Sequence, residues 1–220
     1  MISWPNGRRT FSSVTQAQAI AKRRLPASVY RYLEGGNDGR ASINDNLQAF
    51  AQIGFRPKCA TLFHQRDLST TILGRPSSIP VVMAPAGFIR LAHRDAETGA
   101  AEAAGAAGVP IELSTLSSCS VEDVAAATKG PVWYQLYFAG GRKTAEHAIA
   151  RAEAARCAAL VLSVDIPGQS KPRWGDKPTP VRIDRRNVLA YAPEMVTRPA
   201  WLSPEYLDLP YGWAARFGPL

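Results

Sequence analysis

Residues 79–85, Ile79-Pro80-Val81-Val82-Met83-Ala84-Pro85, followed by DAETGAAEAAGAA at 95–107, decide the reading of the fold. The first piece is short, apolar and bounded by prolines, as expected of a parallel strand buried on both faces. The second is helical. Its acidic residues lie near the start, where they complement the helix dipole, and Gly108 suits its end. The pattern then repeats. Residues 110–113 read as a strand before a helix at 121–127, residues 132–137 as a strand before a helix at 143–155, and residues 158–165 as the fourth strand. Parallel strands joined by crossover helices account for this order.

The expected architecture is therefore α/β, a TIM-type (β/α)8 barrel cut to about its first four units. The expected domains are a helical N-terminal segment at 1–75, the half barrel at 76–170, and an irregular, loop-rich tail with a short helix at 171–220. In such barrels the chemistry sits at the C-terminal ends of the strands. Pro85-Ala86-Gly87, Ser114-Thr115, Gln135 to Tyr137 and Ser163 to Asp165 are thus expected on one rim.

Working outward, Ser13 or Thr15 suits the cap of a helix running to Arg24. Pro26 suits the opening of a second helix, and Glu34-Gly35-Gly36 its end. Residues 44–53 read as a third helix. The tail from Pro193, with four further prolines plus Trp201 and Trp213, reads as irregular.

Composition is that of an ordinary core-forming domain, with 46% hydrophobic and 20% charged residues. No run of 18 apolar residues is present, and MISWPNGRR lacks the apolar core of a signal peptide, so a cytoplasmic protein without a membrane span is expected. Cys59, Cys119 and Cys157 are an odd number without CxxC spacing, which argues against a disulfide framework and against a zinc site; no metal is expected. The net charge of +8 is spread over short clusters such as Arg8-Arg9, Lys22-Arg23-Arg24 and Arg185-Arg186, a poor match to a nucleic-acid footprint. A half barrel would leave unpaired strand edges and an uncovered apolar face, so a homo-oligomer or a complementing C-terminal chain is a possible partner.

Nine motifs in order carry a family resemblance: LPASVYRYLEGG (25–36), INDNLQAF (43–50), GFRP (54–57), DLSTTILG (67–74), IPVVMAPAG (79–87), LAH (91–93), ELSTLSSCSVEDVA (112–125), WYQLY (133–137) and LVLSVDIP (160–167). Together they resemble the FMN-dependent α-hydroxy-acid dehydrogenase and oxidase family. The later stretch RWGDKPTPVRIDRRNVLAYAPEMVTRPAWL (173–202) looks more like the pre-mycofactocin synthase branch, whereas VYRYLEGG looks like the hydroxy-acid oxidases.

The resemblance implies FMN as cofactor and a 2-hydroxy acid of the lactate, glycolate or mandelate kind as substrate, oxidised with hydride transfer to the flavin. It implies that Pro85, Ala86 and Gly87 lie against the flavin ring and that Ser114, Gln135 and Ser163 hydrogen-bond it, Ser163 keeping the hydroxyl of a common threonine. Tyr32 matches a tyrosine that binds the substrate carboxylate, and Tyr137 the one near the reacting hydroxyl. Pro172 stands where the family has a carboxylate-binding arginine, with Arg173 as the neighbour that could replace it. Leu116 replaces a common aromatic, which implies a different or wider pocket. After Ser163 there is no HG pair, DGG segment or glycine-rich phosphate loop, and His64, His93 and His147 match no catalytic position. Impaired turnover is therefore expected. The alternatives are a flavoenzyme acting on a peptide-derived cofactor precursor, and a non-catalytic flavin-binding or interaction fragment.

Overall fold

The computed structural model describes residues 11–36, 39–62, 64–138, 140–164 and 188–202. These form two compact units, one within Met1–Ile53 and Ser170–Asp208, the other within Gly54–Gln169 and Leu209–Leu220.

The second unit is built around a parallel sheet in the order β3-β4-β5: β3 (Ile111–Leu113), β4 (Val132–Leu136) and β5 (Ala159–Leu162). Ile111 pairs with Val132 and Trp133 with Ala159, so the strands run side by side in sequence order. The crossovers are helices. α4 (Ala96–Ala107) precedes β3, α5 (Val121–Ala126) links β3 to β4, and α6 (Gly141–Ala154) links β4 to β5. Ile111, Leu113, Val132, Tyr134 and Leu136 form a core with Ala101 and Ala104 of α4, Val121 and Val124 of α5, and Ala145, Ala148 and Ala152 of α6. The three- and four-residue spacing of those alanines makes one smooth stripe per helix, and a methyl-only stripe lets a helix lie close to the sheet. Because strand side chains alternate, Glu112, Trp133 and Gln135 point to the opposite face.

Gly108 closes α4 in the left-handed region at φ 68°, as its position in the sequence suggests. Ser120 caps α5 by accepting from the Asp123 N–H at 3.1 Å.

The expected first strand is different. Residues 79–85 touch the sheet by one parallel bridge, Met83 to Ile111, in which Met83 N–H donates to Pro110 O at 3.0 Å and Glu112 N–H to Met83 O at 2.9 Å. The prolines that bound the segment also limit it, since Pro80 and Pro85 have no N–H for a ladder, and Val81 N–H turns back to Ile79 O at 2.8 Å. Just before it lies an unanticipated hairpin, β1 (Thr70–Ile72) against β2 (Arg75–Ser77). Leu73 and Gly74 join the strands with φ of 46° and 74°, the positive pair that a tight hairpin turn requires. Among the described residues the sheet does not close into a barrel, and β5 is its last strand.

The first unit holds α1 (Val14–Arg24), α2 (Ala27–Glu34), α3 (Ala41–Gln52) and α7 (Val188–Val196), followed by a 3₁₀ turn at Pro199–Leu202. Ser13 caps α1, accepting from the Gln16 N–H at 3.1 Å. Pro26 gives α2 no side-chain cap. Glu194 of α7 supplies one from 166 residues away, accepting the Ser28 N–H at 2.8 Å and lying 3.8 Å from Arg31. Pro193 therefore sits inside a helix rather than opening an irregular stretch. Trp201 is buried in this unit, whereas Trp213 lies outside the described residues.

One ion pair in the second unit has a readable pH signature. Arg151 of α6 grips Glu122 of α5 through both prongs, Nε to Oε1 at 2.8 Å and Nη2 to Oε2 at 2.5 Å. These bonds hold the Glu122 carboxyl down at about 2, from an ordinary 4.5. A depressed folded value means stability that is full above about 4.5 and lost as pH falls from there toward 2. The Glu122 side chain is half exposed, so solvent screening limits the pair to about 1 kcal/mol. Arg151→Met, which keeps much of the stem, should lower urea stability by about 1 kcal/mol at pH 7 and by clearly less at pH 3. A gap that stays constant down to pH 3 would show that the pair contributes nothing.

Candidate functional site

The polar residues at the C-terminal ends of β3 and β4 form one hydrogen-bonded cluster. Thr115 N–H donates to Gln135 Oε1 at 3.0 Å, and Ser114 Oγ lies 3.4 Å from the same oxygen. The Thr115 hydroxyl donates to the Gln135 main-chain O at 2.5 Å and accepts the Tyr137 N–H at 3.0 Å. Ser114 Oγ also accepts the Leu116 N–H at 3.0 Å. The register puts this chemistry together, because Leu113 pairs with Tyr134, so the residues just past β3 meet Gln135 near the end of β4.

Gln135 is 2% exposed, and its Nε2 is buried without a hydrogen-bond partner among the described residues. An unsatisfied buried donor costs about 1–3 kcal/mol, which a ligand acceptor would recover. The amide orientation follows from the donors around it. With Thr115 N–H and the Ser114 hydroxyl directed at one end, that end must be the oxygen, which leaves the NH2 for a ligand.

The segment 85–88 joins the cluster from the other side. Phe88 N–H donates to Leu116 O at 3.0 Å. A Cβ built on Gly87 would lie 2.8 Å from Leu116 Cβ and 3.2 Å from Leu116 O, so a glycine is needed for this loop to approach the one after β3. Pro85 is partly buried and Ala86 exposed. Ser163, just past β5, is tied in by its N–H to Leu136 O at 3.0 Å. Tyr137 follows β4 directly and is partly buried.

Other expected residues stand apart. Tyr32 is on α2 in the first unit, 45% exposed, with its phenol pushed above the ordinary value by partial burial. Arg173 and Asp165 lie outside the described residues. None of the three histidines stands at the strand ends: His64 is an exposed loop residue, His93 Nδ1 accepts from Asp95 N–H at 3.2 Å, and His147 lies on the exposed side of α6. Two residues gain a part that sequence reasoning did not give them. Thr115 is the junction of the cluster. Glu112 shares a face with Ser114, and desolvation pushes its carboxyl above the usual range. An acid in the middle of the apolar run 110–113 was the available signal. Among the described residues no group of His, Cys, Asp and Glu is placed to hold a metal ion, and no helix is long and apolar enough to cross a membrane.

The carboxyl ends of a parallel sheet are where α/β proteins commonly hold ligands, and here a buried amide donor without a partner among the described residues stands at that end. The chain belongs to the FMN-dependent dehydrogenase family, whose model matches residues 21–208. It is 35% identical over 192 residues to pre-mycofactocin synthase of Mycobacterium tuberculosis (strain CDC 1551 / Oshkosh), covering 87% of this chain and 48% of that protein. It is 39% identical over 156 residues to glycolate oxidase 5 of Oryza sativa subsp. japonica, covering 71% of this chain and 42% of that one. A solved structure of (S)-mandelate dehydrogenase, described as a monotopic membrane protein, superposes with a TM-score of 0.78 at 27% identity over 96% of this chain and 57% of that one. The chain thus spans about half the length of the curated relatives it matches. FMN is the cofactor of this family.

Proposed function

We propose that the second unit is an arc of a (β/α)8 barrel carrying part of the FMN site of an oxidoreductase that acts on 2-hydroxy acids. The observation that supports this most is the buried, partnerless Nε2 of Gln135, a donor waiting for an acceptor at a strand end of a family whose cofactor presents ring oxygens and nitrogens. Bound FMN supplies the hydride acceptor. Gln135 Nε2 and the hydroxyls of Ser114 and Ser163 would hold its polar edge, and Pro85, Ala86 and Gly87 would flank its ring. Tyr137 is the residue we assign to the substrate hydroxyl. Tyr32 and Arg173 are assigned to the carboxylate on the family resemblance alone.

Among the described residues no histidine stands at the strand ends to take the proton. Losing a general base costs about 10²- to 10⁴-fold in rate. The purified chain should therefore quench FMN fluorescence saturably, yet turn over L-lactate, glycolate or mandelate at least about 100-fold more slowly than a relative possessing the base. Absence of saturable FMN binding would refute the flavin assignment; fast turnover would refute the missing base.

A flavoenzyme acting on a peptide-derived precursor is the second reading. It is favoured by Leu116, which leaves more room than an aromatic, and by the likeness to pre-mycofactocin synthase over 87% of the chain. Turnover of such a peptide, with none of hydroxy acids, would select it.

A further inference from the structure

We infer that Thr115 is a positioning residue: it locks the Gln135 amide so that the N–H end, and never the carbonyl, is offered to the cofactor. The inference rests on the FMN reading above.

A glutamine side chain has two nearly isosteric orientations that exchange its donor and acceptor ends. What fixes Gln135 is the backbone N–H of Thr115, at 3.0 Å from Oε1. That N–H is held in place in turn by the Thr115 hydroxyl, which donates to Gln135 O at 2.5 Å and accepts from Tyr137 N–H at 3.0 Å. The hydroxyl thus ties Thr115, two residues past β3, to the backbone on both sides of Leu136, and the amide is read out by the same residue. Thr115 is itself buried, at 8% exposure, so water is a poor substitute for these partners. Its hydroxyl donates to Gln135 O and accepts from Tyr137 N–H, and its action on a flavin would pass through Gln135.

Thr115→Val keeps the shape and removes both hydroxyl bonds; Thr115→Ser keeps the hydroxyl. FMN affinity, read by fluorescence quenching, should fall about 10-fold in the valine variant, the scale of one or two net hydrogen bonds, and stay within about twofold of wild type in the serine variant. Amide hydrogen exchange on the flavin-free protein should show Tyr137 N–H losing protection in T115V and keeping it in T115S. The decisive readout is a cycle with Gln135→Ala. If Thr115 acts through Gln135, T115V adds less than about twofold to the loss already caused by Q135A. Losses that multiply, or a serine variant as weak as the valine one, would overturn the inference while leaving FMN binding standing. A wild-type chain that binds no FMN would overturn the cofactor reading and the inference together.

Discussion

Gln135→Glu should bind FMN about 100-fold more weakly than the wild-type chain at pH 8, and should recover much of that loss at pH 5.5. The substitution changes one atom. The oxygen that accepts from Thr115 N–H and lies near Ser114 Oγ is kept, and only the unpartnered Nε2 becomes an oxygen. At pH 8 the buried site would hold a carboxylate, which repels a ring acceptor and has no N–H to offer. Burial among few donors raises the value at which such a carboxyl ionises. As pH falls through that raised value the group takes up a proton, and the new O–H can donate where the amide did. Recovery must therefore come on the acid side. The ratio of variant to wild-type affinity at each pH removes the titration of the cofactor's own phosphate. A variant that matches wild type at pH 8 would show that Nε2 makes no contact with the flavin. A loss that does not change with pH would show that the damage is structural.

What the sequence made legible follows from the range of the interactions involved. The helix at 95–107 and its glycine stop could be read because every determinant lies within the segment: the small-residue stripe, the acid in the first turn and the left-handed Gly108. The strand at 79–85 could not. Its apolar residues suit a strand, but a ladder also needs N–H groups, and the two prolines leave only Met83 in register with Ile111. The β1–β2 hairpin escaped because Leu73, a residue that rarely takes positive φ, sits in the turn where Asn or Asp would have announced it. The cap on α2 comes from Glu194, a distance along the chain at which no local signal exists.

The site divides in the same way. The family resemblance picks out Ser114 and Gln135, and the structure places Ser114 Oγ 3.4 Å from Gln135 Oε1 at adjacent strand ends. The sequence marks Thr115 only as a rim residue. Its hydroxyl gets its meaning from the β3–β4 register, in which the residues past Leu113 face those past Tyr134, and that register belongs to the pairing and not to either strand. The same dependence links the packed face of the sheet to its polar ends.

Leu113→Ala tests that link and carries the largest expected stability cost. Leu113 is among the largest fully buried side chains, and it lies in the core shared by the strands and the crossover helices. Truncation removes its transfer free energy and leaves a cavity between sheet and helices that can collapse only in part, together about 3 kcal/mol. Domains of this size hold only about 5–15 kcal/mol in total, so the urea midpoint should drop by a large fraction. The effect should also reach the site without touching it. Leu113 immediately precedes Ser114 and pairs with Tyr134, which precedes Gln135, so a strand that shifts to fill the cavity moves both polar ends at once. FMN affinity should fall along with stability in L113A. Leu113→Met, close in volume, should cost less than about 1.5 kcal/mol and leave affinity near wild type. If L113A loses the stability and keeps the affinity, the strand ends are held by the Thr115 network alone and the packed face plays no part in aiming them.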